Sequence, residues 1–510
     1  MPAKTIMIQG TASHAGKSIL TAALCRIFYQ DGYRVAPFKS QNMALNSFVT
    51  ADGGEMGRAQ VVQAEAAGVP PSVDMNPVLL KPTGNASSQV VVLGRPLDNY
   101  TAWNYHQQLA GKLWSVVTSA LDRLRSNFDI VVIEGAGSPA EVNLQDTDIV
   151  NMKVARRAEA PVLLVADIDR GGALAAVVGT LELLPPGDRE RVKGIIINKF
   201  RGDVSLFQPA IRFLEQKTGV PVCGVVHYFD DLYIQDEDSV VMERKNYLAG
   251  NDSGKVEIAV LRLPRISNFT DFDPLESEPD VHLRYVGRDD KLGHPDFIII
   301  PGSKNTIEDL LYLKQTGLAG AIVRLARQGV PVIGICGGFQ MLGQELKDPD
   351  KTESEIEHIF GLGLLDMYTV FAREKVTSQV QASVAVGGKF LGSYGEPLTG
   401  YEIHMGRTKL GADARPAFVI NTRSGCQVHV MDGAQSADGN IWGTYIHGIF
   451  DNDTLRRHLV DMMKKKKGLD TEGQAVLMST EQKKQAGYDR LAELVRHSLD
   501  MNLIYRLMGM

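Results

Sequence analysis

The sequence predicts an α/β chain of two domains, each built on a parallel sheet, and three observations carry that prediction. Short apolar runs of strand length alternate with helical stretches through the first 240 residues. A second alternating series begins near Val256, after a stretch that loses the pattern and gains Gly, Asn, Asp and Ser. Each series contains a glycine-rich turn directly after an apolar strand: GTASHAGKS at 10–18 and GICGGF at 334–339. A chain of 510 residues is also longer than one hydrophobic core usually organises.

Taken in order, the first series reads as the strand TIMIQ, a helix from about Lys17 to Gln30, then RVAPF, DIVVIE, PVLLVADI, VKGIIINK and PVCGVV. Lys39, Glu134, Asp167, Asp169 and Asn198 fall at or just past the C-terminal ends of these strands, the ligand edge of an open parallel sheet. Residues 1–240 therefore form the first domain, and 241–255 a linker. The second domain, 256–455, contains VEIAVLRL, DFIIIPG, PVIGIC and NIWGTYIHG. Residues 456–510 are expected to be a charged helical tail, with Lys464 to Lys467 on a solvated face.

Composition bounds the function. Apolar residues make up 44% and charged residues 22%, and no apolar run approaches the roughly 18 residues of a membrane span, so no membrane role is expected. The N-terminus enters a strand without an export signal, which places the expected protein in the cytoplasm. A net charge of −6 argues against a nucleic-acid partner. Cys25, Cys223, Cys336 and Cys426 show no metal-ligand or disulfide spacing and are expected to be reduced thiols.

The first glycine-rich turn is a candidate phosphate cradle. Its backbone N–H groups, from Gly10, Thr11, His14, Ala15 and Gly16, can hold phosphate oxygens, while Lys17 adds charge and Ser18 offers a hydroxyl to Mg²⁺. The spacing is one residue longer than the usual four between glycine and Gly-Lys-Ser. Asn198 offers a carboxamide, donor and acceptor together, to a purine edge. Lys39 is placed to neutralise a transferring phosphoryl group, within a crowd of short polar side chains that includes Gln41, Asn42 and Asn46.

The second turn puts Cys336 on a sharp strand-to-helix junction where a nucleophilic thiol is exposed to substrate. His447 is the candidate base. Gly302, in PGSKNT at 301–306, and Gly337 are candidate oxyanion donors.

The longer cradle and the segment VVIEGAGSP at 131–139 resemble dethiobiotin synthetase and its relatives. That resemblance implies an Mg²⁺ set of Ser18, Glu134 and, from GGEMGRAQ, Glu55. The order of oxyanion loop, Cys turn and distal His resembles the class I glutamine amidotransferases over about 256–455. It departs from them at His447, which is followed by Gly448 and Ile449 rather than Pro-Glu, so a dyad acts alone or another group orients the ring.

The whole chain, through PFKSQNMALNS, MNPVLLKP and GYEIHMGRT, resembles the cobyric acid synthase branch of the cobalamin-pathway amidotransferases. The resemblance implies a glutaminase thioester at Cys336, ATP activation of a corrinoid carboxylate, and amidation of the b, d, e and g carboxylates of adenosylcobyrinic acid a,c-diamide. Segments 39–47 and 76–95 then line the acceptor site, with Lys81 and Arg95 near carboxylates; Tyr401 and His404 lie on a polar strand near the glutaminase centre. Two alternatives stay open: the sister enzyme that makes the a,c-diamide, and a P-loop switch ATPase. Against the latter, its signature lysine position holds Ala12.

Overall fold

The computed structural model describes residues 2–83, 87–105, 109–229, 232–235, 254–385, 390–392, 395–469 and 478–510. Most of the expected linker lies outside the described residues.

The six apolar runs of the first series form one parallel sheet. Across it the strands lie in the order Val222–His227, Val192–Phe200, Val162–Asp167, Lys4–Gly10, Ile130–Glu134 and Val35–Phe38. Successive side chains on a strand point to opposite faces. Accordingly Met7, Val131, Ile133 and Leu164 enter one buried core, while Ile6, Ile8, Val132 and Val165 enter another across the sheet. Burial on both faces is why these strands read as continuous apolar runs rather than alternating ones. The register sets Ile8 beside Glu134 and Asp167 beside Asn198, so the polar strand ends share one edge. The helix Lys17–Gln30 begins at that edge.

An additional small sheet, Gln41–Met43, Val78–Pro82, Ser87–Val92 and Arg95–Thr101, stands beyond the edge. The hairpin Ser47–Val49 with Glu55–Gly57 carries the first domain into contact with the second.

The second domain has a sheet ordered Val281–Val286, Val256–Leu261, Phe297–Ile300, Val332–Ile335, Ile441–Thr444 and Ala434–Gln435, parallel except for the last strand. Beside it runs a long antiparallel pair, Met367–Val384 with Leu398–Leu410. One end of this pair leans on the first domain: the Gln379 amide donates to the Val49 carbonyl at 3.0 Å, and the Thr377 hydroxyl to the Gly53 carbonyl at 2.9 Å.

The tail is not one unit. The helix Asp453–Lys466 buries Leu455, Leu459, Val460 and Met463 in the second core, whereas Thr480–Ser498 and Met501–Leu507 return to the first domain and bury Tyr488, Leu491, Val495 and Ile504 there. The lysine run is not simply a solvated face either. Lys464 is buried with its ammonium 3.1 Å from Asp280, and Lys467 reaches Asp296 at 2.7 Å.

Candidate active site

The phosphate cradle opens on a cavity of about 1040 Å³ along the sheet edge. The turn depends on two backbones in the left-handed region, His14 at φ 59° and Gly16 at φ 100°. At Gly16 an added Cβ would lie 2.0 Å from the Asn198 amide nitrogen, so only glycine fits.

Ser18 donates to Glu134 Oε1 at 2.8 Å, Lys39 Nζ meets the same oxygen at 2.9 Å, and the Gln63 amide meets Oε2 at 2.6 Å. Lys17 Nζ donates to the carbonyls of Ala12 and Gly137 at 3.0 and 3.1 Å, which places its ammonium across the mouth of the cradle. Asn198 lines this cavity, and one hydrogen of its Nδ2 also braces the cradle, donating to the Ala15 carbonyl at 2.9 Å.

Several expected residues stand apart from this cavity. Glu55 is fully buried away from Ser18 and Glu134. Its Oε1 accepts from Lys81 at 2.6 Å and from Ser47 at 3.0 Å, and its Oε2 from Lys375 of the second domain at 2.5 Å. Burial alone would raise this carboxyl, but Lys375 and Lys81 outweigh it and hold it well below the usual range. Glu55 is paired with two ammonium groups and does not line the cavity that Ser18 and Glu134 share, so the structure does not bring it together with those two residues. Burial conversely lowers Lys375, to about 8, despite Glu55.

Lys81 is thus an ion-pair partner at the domain seam. Asn46 joins it there, accepting from the Thr270 hydroxyl at 3.2 Å. Asn42 and Lys39 do line the nucleotide cavity. Gln41 accepts from the Tyr105 hydroxyl, and Arg95 lies on the exposed strand Arg95–Thr101.

The second centre is built where the parallel strand Val332–Ile335 ends. Cys336 sits at φ 50°, a strained left-handed backbone, and its N–H is fixed to the Thr444 carbonyl at 2.8 Å. The turn is possible only because its neighbour is bare: at Gly338 a Cβ would lie 1.9 Å from the Ile300 carbonyl oxygen.

His447 is 2% exposed, and its Nδ1 lies 2.6 Å from Asp271 Oδ2. The other Asp271 oxygen accepts the Gly448 N–H at 3.0 Å, so the carboxylate is held from both sides. Asp271 lies in the turn Phe269–Phe272, far from His447 in sequence, and sequence reasoning missed it. It is the group that orients the ring where Pro-Glu is absent. Burial by itself would depress the imidazole, but Asp271 and then Cys336, within hydrogen-bonding reach, raise it to about 10.

Gly302 lies directly under the imidazole, where a Cβ would come 3.1 Å from His447 Cε1; at Gly337 a Cβ would come 2.9 Å from the Ser303 nitrogen. The two expected oxyanion segments are therefore packed against each other beside Cys336. Tyr401 stacks on His447 with ring centroids 5.5 Å apart, and His404 stacks on Tyr445 at 3.8 Å.

A small cavity of about 40 Å³ joins Cys336, His447, Gln340 and His404 to Lys375 and, from the first domain, Lys81. Asn268 closes the seam: its Oδ1 accepts the Ser47 N–H at 3.2 Å and its Nδ2 donates to the Tyr401 hydroxyl at 3.0 Å. Among the described residues no cluster of three or more His, Cys, Asp or Glu could hold a metal, and no helix is long and apolar enough to cross a membrane.

Two family models match. Residues 6–240 match the CobQ/CobB/MinD/ParA nucleotide binding domain, and residues 257–455 match the CobB/CobQ-like glutamine amidotransferase domain. A cobyric acid synthase of Pelotomaculum thermopropionicum is 57% identical over 518 residues, spanning 100% of this chain and 97% of the relative. The chain belongs to the cobyric acid synthase family. The family's enzyme from Moorella thermoacetica is also 57% identical, over 100% of this chain and 98% of its own, and that from Sorangium cellulosum is 53% identical over 100% and 99%. Among solved structures, PurLQS from Thermotoga maritima overlays 41% of this chain and 96% of its own at 20% identity and a TM-score of 0.31. As a family member the chain is an ATP-dependent glutamine amidotransferase, a carbon–nitrogen ligase with its nucleotide domain first and its amidotransferase domain second.

Proposed function

We propose that the chain converts adenosylcobyrinic acid a,c-diamide to adenosylcobyric acid by amidating its b, d, e and g carboxylates, with glutamine as nitrogen donor and ATP as activator. The observation that supports this most is the placement of a buried Cys–His–Asp centre at the seam between domains, in a cavity that the first domain's Lys81 helps to line. Nitrogen released there is sheltered from water on its way to a carboxylate in the first domain.

In the second domain Cys336 attacks the amide carbon of glutamine, and the oxyanion segments at Gly302 and Gly337 take the developing charge. His447, held by Asp271, passes a proton to the leaving ammonia; water then cleaves the thioester to glutamate. In the first domain the acceptor carboxylate attacks the terminal phosphorus of ATP, releasing ADP and forming an acyl phosphate; ammonia then attacks the acyl carbon and expels inorganic phosphate, leaving the amide. This order answers a chemical need, because a free carboxylate is a poor electrophile and free ammonium a poor nucleophile.

The cradle around Lys17 grips the phosphates, and Lys39 is placed on the Glu134 side, where charge moves during transfer. Ser18 and Glu134 present the hard oxygen donors that Mg²⁺ takes. Bound there with ATP, the ion would screen phosphate charge.

Two substitutions test the division of labour. Cys336→Ala is expected to abolish product formation from glutamine and to preserve it from ammonium; loss of both would place Cys336 outside a glutaminase role. Lys17→Ala is expected to abolish product from either nitrogen source, and persistent product would remove the cradle assignment.

A further inference from the structure

The nucleotide cavity has two ends. Lys39, Asn42 and Met43 line one; the other, beyond the cradle, is walled by Phe229, Leu232 and Ile234, apolar side chains packed on the core under the helix Lys17–Gln30. A nucleotide whose phosphates lie in the cradle, with its terminal phosphorus toward Lys39 and Glu134, must direct its base toward the apolar end. A flat aromatic ring suits such a wall.

Gln235 stands at that end. The residue is only 7% exposed, lines the cavity, and has neither carboxamide atom hydrogen-bonded. Buried polar groups are nearly always satisfied, so a carboxamide buried with donor and acceptor both open calls for a partner of the same complementary pair. Asn198 lines the same cavity but has one amide hydrogen committed to the Ala15 carbonyl, whereas both carboxamide atoms of Gln235 are open.

We infer that Gln235 is the base-reading residue of the ATP site. Its Oε1 accepts from the exocyclic amine of adenine and its Nε2 donates to the adjacent ring nitrogen, while Phe229, Leu232 and Ile234 cover the ring. The inference rests on the reading that ATP occupies this cavity. It is a specificity role, distinct from phosphate grip, so it is expected to appear in nucleotide affinity rather than in turnover.

The test pairs a ligand change with a protein change. Equilibrium binding of ATP and of purine riboside triphosphate, which lacks the exocyclic amine, is measured for the wild-type chain, Gln235→Leu and Lys17→Ala. The wild type is expected to prefer ATP by about tenfold, the worth of one well-made hydrogen bond in a buried site. In Gln235→Leu that preference is expected to fall to near unity, with KM for ATP raised and kcat retained.

A wild-type chain that binds both nucleotides equally overturns the inference without recourse to any variant. So does a leucine variant that keeps the full preference. Unaltered ATP binding by Lys17→Ala would instead show that the nucleotide sits elsewhere, a failure of the underlying reading that the other two results do not mimic.

Discussion

Replacing Asp271 with asparagine keeps the shape of the side chain beside His447 and removes its charge. The imidazole is held at about 10, against an ordinary value of 6.5, although burial opposes the charged form. Without the carboxylate the largest influence favouring the charged ring is gone while burial still opposes it, so the imidazole falls, with Cys336 as its remaining support. At 1.36 kcal/mol per pKa unit the whole upward shift corresponds to on the order of 5 kcal/mol, a ceiling for Asp271 because Cys336 shares it, so the rate is expected to fall by up to about 10³- to 10⁴-fold. Comparable changes behind catalytic histidines cost about 10⁴-fold.

The sign follows from the imidazolium of the His447–Asp271 pair being the form that passes a proton to the leaving ammonia. Raising the pH removes the imidazolium proton, so the alkaline limb of glutamine hydrolysis is expected near 10 in the wild type and lower in Asp271→Asn. The pair's contribution to stability is likewise complete below 6.5 and lost as the pH rises through about 10. Glutamate release across the alkaline range reads the first effect, and alkylation of Cys336 by iodoacetamide reads thiolate directly. An asparagine variant with the wild-type rate and the wild-type alkaline limb would refute the assignment of Asp271.

Glu55→Gln leaves Lys81 and Lys375 buried without their counter-charge, and is expected to destabilise the chain by about 3–5 kcal/mol, read as an earlier thermal transition. An unchanged transition would mean that the ion-paired seam does not persist in solution. Lys39→Met is expected to lower amide formation by at least about 10²-fold from glutamine and ammonium alike, while glutamine hydrolysis continues; the two rates measured side by side decide it. In Gly338→Ala the new methyl meets the Ile300 carbonyl, a backbone group that cannot yield, so glutaminase activity is expected to disappear while ammonium-driven amidation survives.

The legible parts of this chain are those written in local sequence. Strands buried on both faces read as continuous apolar runs, and all six of the first sheet stand where the runs do. The two sharp turns were visible because a cradle and a nucleophile turn each need glycine where another residue would collide, as Gly16 and Gly338 do. What was not legible depends on tertiary placement. Asp271 meets His447 across 176 residues, and nothing in NFTDFD distinguishes it from Asp273 two positions on. Glu55 reads as a metal ligand until Lys375, 320 residues away, is seen on its second oxygen. Of the long antiparallel pair, only the polar strand around Tyr401 and His404 was legible; Met367–Val384 escaped because it mixes exposed and half-buried residues and lacks a clean apolar run.

The measurement closest to the central claim is mass spectrometry of the corrinoid after incubation with ATP, Mg²⁺ and glutamine carrying heavy nitrogen in its amide. With adenosylcobyrinic acid a,c-diamide as acceptor, the account predicts stepwise conversion to the hexaamide, with heavy nitrogen in each new amide, and no conversion when ATP is omitted. Unchanged diamide, alongside conversion of unamidated cobyrinic acid to the diamide, would contradict it and assign the chain to the earlier amidation.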